Sequence, residues 1–222
     1  MVQSLIHHPL CPFCRKARLF LNESKIEYQL VEEKFWEKSP KFLDLNPMGT
    51  VPVFVLDSGA TIIDSQVIIE YVNEKYNGTL IGKTPEHRAE VRRLTKWFDE
   101  KFNQEVTKNI VVEKFFKRMK KQGNPQSTVI KFGKSNMVCH LDYMAYLLER
   151  RSWLAGEQLT LVDLAAAAQL SAIDYFGDID WDYNEYVKNW YMLIKSRPSF
   201  RPILNDKIPA LPPVGVYKDL DF

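Results

Sequence analysis

Cys11 and Cys14 are the side chains best placed for chemistry, in the stretch His8-Pro9-Leu10-Cys11-Pro12-Phe13-Cys14-Arg15. An apolar run precedes them and a basic, amphipathic run from Arg15 to Leu21 follows, the pattern of a strand, a tight turn and a helix. Cys11 then falls at the N-cap and Pro12 at the first helical position, where a missing N–H costs nothing. A thiol there faces unpaired amides and the positive end of the helix dipole, which favour thiolate and lower its pKa below the usual value of roughly 8.5. Cys14 lies one turn on, within reach of a mixed disulfide on Cys11; a buried helix residue is the equal alternative. This spacing beside a strand–helix pattern is that of a thioredoxin-like redox motif. Zinc would need two further ligands. There is no second cysteine pair, and His7 and His8, adjacent on a strand, point to opposite faces, so no metal site is expected.

The elements around this stretch read in two halves. In the first, Val2–Ile6 is a strand, Cys11–Ser24 a helix and Ile26–Val31 an alternating strand. Pro40–Leu45 is a short helix stopped by Asn46-Pro47-Met48-Gly49. Val51–Leu56 and Ala60–Ile63 form a hairpin, and Ser65–Tyr76 is a helix. The order βαβ, α, ββα predicts a mixed four-stranded sheet with helices on its faces, a thioredoxin-like layout. After a linker at 78–85 the periodicity is helical. One long, kinked helix is expected from Glu86 to about Lys121, then Ser127–Arg151, a helix opened by a capping box at Thr160 and Asp163, Glu185–Ser196, and a short turn at Phe200–Asn205. Pro209, Pro212 and Pro213 predict an extended tail. The expected division is 1–77 for the thioredoxin-like α/β half, 86–207 for the all-α half and 208–222 for the tail. Cys139, Trp181, Tyr183 and Trp190 are expected in the core, and Trp97, Phe98 and Phe102 in the core or the cleft wall.

The chain has 222 residues, 45% apolar and 26% charged, with net charge +2. That is ordinary for a globular chain with a real core, and gives no ground for a nucleic-acid partner. Three cysteines make no disulfide framework, and the C-x-x-C suits a reducing compartment. No signal peptide is read at the N-terminus, and no apolar run approaches the roughly 20 residues of a membrane helix. A cytoplasmic protein is expected.

Together these motifs resemble the glutathione S-transferase family over the whole chain. Val51-Pro52 is similar to the family's cis-proline strand, Asp64-Ser65 to its acidic–serine pair, and Thr160-Leu161-Val162-Asp163 to its helical capping box. The resemblance implies that glutathione is bound as substrate by the Val51 backbone beside Pro52, with Ser65 meeting the γ-glutamyl carboxylate and Asp64 its ammonium group. Phe13, and Lys38 or Lys41, would complete the pocket. A plain N-cap is the competing reading of Ser65. Cys11 occupies the place of the family's thiolate-stabilising residue, which implies thiol transfer, and a homodimer is implied as well. Glu90–Leu94, Trp97–Phe102, Leu148–Arg151, Ile194–Pro202 and the terminal Asp219, Leu220, Asp221 and Phe222 resemble glutathione-transferase-like proteins that bind the division GTPase FtsZ. That likeness implies a filament-binding protein without turnover. Lys114, Lys117 and Arg118, interleaved with Phe115 and Phe116, would then meet an acidic partner; a solvated helix end is the alternative.

Overall fold

A computed structural model describes residues 2–209 and 211–220. Strands β1 (Ser4–His7), β2 (Gln29–Glu32), β3 (Val53–Val55) and β4 (Thr61–Ile63) form one sheet in the order β2-β1-β3-β4. Leu5 pairs with Leu30 in the parallel direction and with Phe54 in the antiparallel one, so β1 is central and buried. Helices α1 (Pro12–Glu23), α2 (Pro40–Leu45) and α3 (Ser65–Lys75) complete this half, the expected thioredoxin-like order. Strand β2 starts three residues later than the alternation suggests. Lys25 adopts φ +55 and the Ile26 amide returns to the Leu21 carbonyl at 3.0 Å, so the chain is still closing α1 where the strand was expected.

The second half begins with α4 (Pro85–Lys96), which runs without a break into a π-helical segment (Trp97–Phe116) and a last turn, α5 (Lys117–Met119). The single long helix of the sequence reading is thus present, with wider winding along its middle. Helices α6 (Ser127–Leu148), α7 (Leu161–Asp174), α8 (Glu185–Lys195) and α9 (Arg201–Leu204) follow. Gly133 lets α6 approach the π-helical segment closely: a Cβ there would stand 2.9 Å from that of Asn109. Helix α7 is buried at every position and packs against α1. Its capping box holds as expected. Asp163 accepts from the Thr160 amide at 2.9 Å, and also from the Leu154 amide and the Trp190 indole.

The polar side of α1 is not solvated. Arg15, Lys16 and Arg18 are all buried between the sheet and the helical half. Arg15 donates to Ser171 Oγ at 2.9 Å and to the Tyr217 hydroxyl at 3.1 Å. Lys16 pairs with Asp99, and Arg18 holds Asp206 through two bonds of 2.6 and 2.9 Å. Farther along α1, Glu23 accepts from Arg197 at 2.6 Å.

The tail departs from its expected form. A single 3-10 turn, Gly215–Lys218, interrupts the extended run, and Tyr217 within it is fully buried. The Val214 amide and the Leu211 carbonyl both bond to Tyr175, which draws the tail back onto α7. Asp219 and Leu220 are exposed, while Asp221 and Phe222 lie outside the described residues. Two core assignments also fail. Cys139 is exposed because it falls on the outer face of α6, and Tyr183 is exposed in the loop before α8 with its hydroxyl on Asp142. Trp190, Phe98 and Phe102 are core, with Trp97 and Trp181 at its edge.

His7 and His8 are buried beside α1. Burial first, then the charges of Arg18 and Arg15, lowers the His7 pKa to about 3. Burial, then His7 and Arg15, lowers that of His8 to about 4. In the unfolded chain both titrate near 6.5. Between these values the unfolded state binds more protons, so stability is full above pH ~6.5 and is lost as pH falls toward the folded values. The expected outcome is a melting temperature that drops from pH 6.5 to 4, with a slope of up to roughly 1.4 kcal/mol per pH unit for each histidine, and a shallower slope in His7→Asn. A flat profile in both proteins contradicts it.

Candidate functional site

The start of α1, the start of β3 and the inner face of the long helix enclose a cleft of about 390 Å³. Cys11, Phe13, Val51, Pro52 and Asp64 line its sheet side; Asn103, Thr107, Val111 and Phe116 line its helical side. A second, polar recess of about 450 Å³ adjoins it through Phe13 and Asp64 and is lined by Ser65, Gln66, Glu70, Arg92, Thr95 and Asp99. The sequence thus places an apolar hollow and a charged one on either side of a single phenyl ring.

Cys11 is the N-cap residue of α1, with extended backbone angles, as expected. The Val51–Pro52 bond is cis, and the Cys11 thiol points at the Val51 carbonyl at 3.8 Å. The Val51 carbonyl therefore faces the sulfur. No amide caps Sγ within hydrogen-bond geometry, so the first amides of α1 act on it as aligned dipoles. The Cys11 pKa is lowered chiefly by a hydrogen bond from Cys14. The amides of Cys14 and Phe13 and the charge of Arg15 add to this, against the opposing effect of burial. Cys14 moves the other way. Burial, reinforced by Cys11, pushes its pKa well above the ordinary thiol value. The pair is therefore asymmetric, with a thiolate-prone sulfur at the cleft and a neutral thiol behind it.

Cys14 has no exposed surface and is absent from the cleft lining; the His8 amide donates to its sulfur at 3.5 Å. As it stands it supports Cys11 rather than reaching a ligand. Asp64, not Ser65, is the N-cap of α3; its carboxylate accepts from the Gln66 amide at 2.7 Å, and Ser65 is the first helical residue. The N-cap reading of Ser65 is thereby corrected, since Asp64, at positive φ, is the last residue outside the helix. Asp64 adopts φ +78, ψ 137, a conformation costing on the order of 1–3 kcal/mol in a residue with a Cβ. Such strain persists where neighbouring structure imposes it, and here it sits where the two hollows meet. Lys38 and Lys41 do not line either hollow. Lys38 is exposed and lies against Gly49.

The proposed basic partner surface is largely occupied internally. Lys114 pairs with the buried Asp178 and lies over Phe176; Lys117 pairs with Glu113 at 3.0 Å; Arg118 alone of the three is exposed. Phe115 and Phe116 pack inward against His8, Phe35 and Trp36. Sequence reasoning missed Asn103, Thr107 and Lys108 as cleft residues. The spacing of four from Asn103 to Thr107, continued by Val111, was the available signal; Lys108 lies outside it.

Residues 10–75 match the family model for the glutathione S-transferase N-terminal domain. The chain is 42% identical over 226 residues to FtsZ-localized protein A of Caulobacter vibrioides, covering 100% of this chain and 99% of that one. It is 31% identical over 201 residues to glutathione S-transferase F9 of Arabidopsis thaliana, covering 84% of this chain and 89% of the relative. The crystal structure of a glutathione S-transferase from Rhodospirillum rubrum F11 superposes with a TM-score of 0.96 at 47% identity, covering 99% of this chain and 100% of that one.

If Cys14 stabilises the Cys11 thiolate, Cys14→Ala moves the pH midpoint of Cys11 alkylation upward. Iodoacetamide kinetics in a Cys139→Ser background measure this, and an unmoved midpoint refutes the assigned support.

Proposed function

The chain belongs to the glutathione S-transferase family, and from that premise we propose that its cleft takes glutathione and that Cys11 exchanges thiols with it. The observation that supports this most directly is the Cys11 sulfur at the helix N-terminus, facing the Val51 backbone beside the cis Pro52. In the proposed pose the cysteinyl backbone of glutathione pairs with Val51, strand fashion. Its γ-glutamyl end enters the polar recess, where the Ser65 hydroxyl and the α3 amides meet the carboxylate and Asp64 meets the ammonium group. Deprotonation of Cys11 removes its only hydrogen, so the Val51 carbonyl becomes free for the tripeptide.

The Cys11 thiolate attacks the glutathione sulfur of a mixed disulfide. The S–S bond breaks, Cys11 keeps the glutathionyl group, and the departing thiolate takes a proton from water. A second glutathione, as thiolate, attacks the glutathionyl sulfur and leaves as glutathione disulfide, restoring Cys11. The sum is one mixed disulfide and one glutathione giving one thiol and glutathione disulfide. Cys14, buried and neutral, takes no part in the transfer.

The 42% identity to FtsZ-localized protein A, along the whole chain, favours a second reading on the same scaffold: binding of FtsZ filaments without turnover. Arg118 and the exposed Asp219 and Leu220, held next to the buried Tyr217, are the surface features that suit it. Family membership also supports a cytoplasmic homodimer. Among the described residues no helix is long and apolar enough to cross a membrane.

Cys11→Ser is expected to abolish reduction of a mixed glutathione disulfide, and undiminished turnover overturns the thiol-exchange reading. Calorimetry with Ser65→Ala should show glutathione affinity down about tenfold, the worth of one hydrogen bond to a charged group. For the second reading, the protein should co-pellet with FtsZ polymers, and deleting Asp219 to Phe222 should weaken this. Absence of pelleting by the full chain removes FtsZ as partner.

A further inference from the structure

We infer that the outer edge of β2 docks an extended, basic segment of another protein, which joins the sheet as a fifth strand with cations opposite Glu32 and Glu33. The inference is independent of the glutathione reading, since no residue of β2 lines either hollow. β2 is the outermost strand, beside β1. The Gln29 amide donates to the Gln3 carbonyl at 2.9 Å, and the Glu33 amide to the His7 carbonyl at 2.8 Å. Residues 29 and 33 thus spend their backbone donors on β1. The alternation of a strand turns the N–H and C=O of Leu30 and Glu32 the other way, toward the open edge. Neither amide makes a bond outside the sheet among the described residues.

Proteins ordinarily close such an edge with a proline, lysines, a bulge or a covering element. Residues 28–33 hold no proline and no lysine, and the β1–β2 register runs without a bulge. All four residues of β2 are exposed, Leu30 and Val31 at 44% each, although both are apolar and stand on opposite faces of the strand. The other edge strand, β4, is half-buried throughout. Charge selects the occupant. Glu27, Glu32 and Glu33 make no ion pair among the described residues. The cations nearest along the chain are Lys25 and Lys34, and Lys34 is shared with Glu37 at 3.7 Å. A second copy paired here would set these glutamates against their own kind, which destabilises a ladder. An antiparallel segment, the more stable direction, fits when cations stand opposite Glu33 and Glu32 and strand-forming apolar residues opposite Val31 and Leu30.

Fluorescence anisotropy with the full-length protein and a labelled peptide, Lys-Arg-Val-Val-Thr-Thr, tests this. The peptide is expected to bind saturably, and its acidic analogue Glu-Glu-Val-Val-Thr-Thr about tenfold more weakly. An N-methyl group on the second valine, which faces Leu30, should weaken binding about fivefold, the worth of one hydrogen bond. Leu30→Pro removes the outward amide while leaving the bonds to β1, and should do the same. The methylated peptide leaves the protein unaltered, so it decides the matter if Leu30→Pro misfolds. Glu32→Lys should weaken the basic peptide about tenfold and strengthen the acidic one. Binding that is indifferent to N-methylation, equal for the two peptides, or absent below about 1 mM overturns the proposal. Altered sedimentation of Leu30→Pro with no peptide bound by the parent assigns the edge to a second copy and overturns it as well.

Discussion

Three cations on one helix, Arg15, Lys16 and Arg18, have almost no contact with water. A charge in that position is tolerable only where its partners are fixed in advance, because an ion stripped of solvent costs several kcal/mol unless it is paired and hydrogen-bonded. Their acid and hydroxyl partners come from the other half of the chain: Asp99, Ser171, Asp206 and Tyr217. The α/β half therefore cannot present α1 correctly without the helical half, and removing one acid would leave a buried charge behind, at a cost of about 3–5 kcal/mol. Burial of Asp99 raises its own pKa even with Lys16 beside it, which shows how dry this junction is.

The same helix carries the cysteine at its N-terminus, so the latches that join the two halves also fix where the sulfur points. Pro9, immediately before that terminus, accepts from Arg15 Nε at 2.6 Å, tying the turn that presents Cys11 to the residue that holds Tyr217. The tail is thus mechanically continuous with the site although it lies more than two hundred residues away along the chain. The cleft wall is held as firmly from behind. Gly133 seats α6 against the π-helical segment, and the Trp97–His140–Glu105 chain, with bonds of 3.0 Å each, fastens the segment's first turns.

Most of the architecture was readable because it depends on local physics. Alternation marks strands, Asn46-Pro47 and Asp57-Ser58-Gly59 mark stops and turns, and Thr160 with Asp163 marks a helix start. The position of Cys11 was readable for the same reason, since Pro12 follows it. What escaped was decided by contacts distant in sequence. Arg15, Lys16 and Arg18 look like a solvated face until Asp99 and Asp206 are known to lie opposite. Lys114 and Lys117 look like a free basic surface until Asp178 and Glu113 take them up. Lys108 carries no motif at all, and only the folded cleft reveals that it shares a wall with Thr107.

Burial also divides the charged pairs of this protein by their response to ionic strength. Exposed pairs such as Arg93–Glu90 and Lys96–Glu100 sit in a medium where mobile ions at about 0.15 M screen attraction beyond roughly 8 Å, and they fade as salt rises. Lys16–Asp99 and Arg18–Asp206, with their cations almost wholly buried, are screened much less. Concentrated electrolyte therefore strips the outer surface of its electrostatic order while the seam between the halves keeps its register.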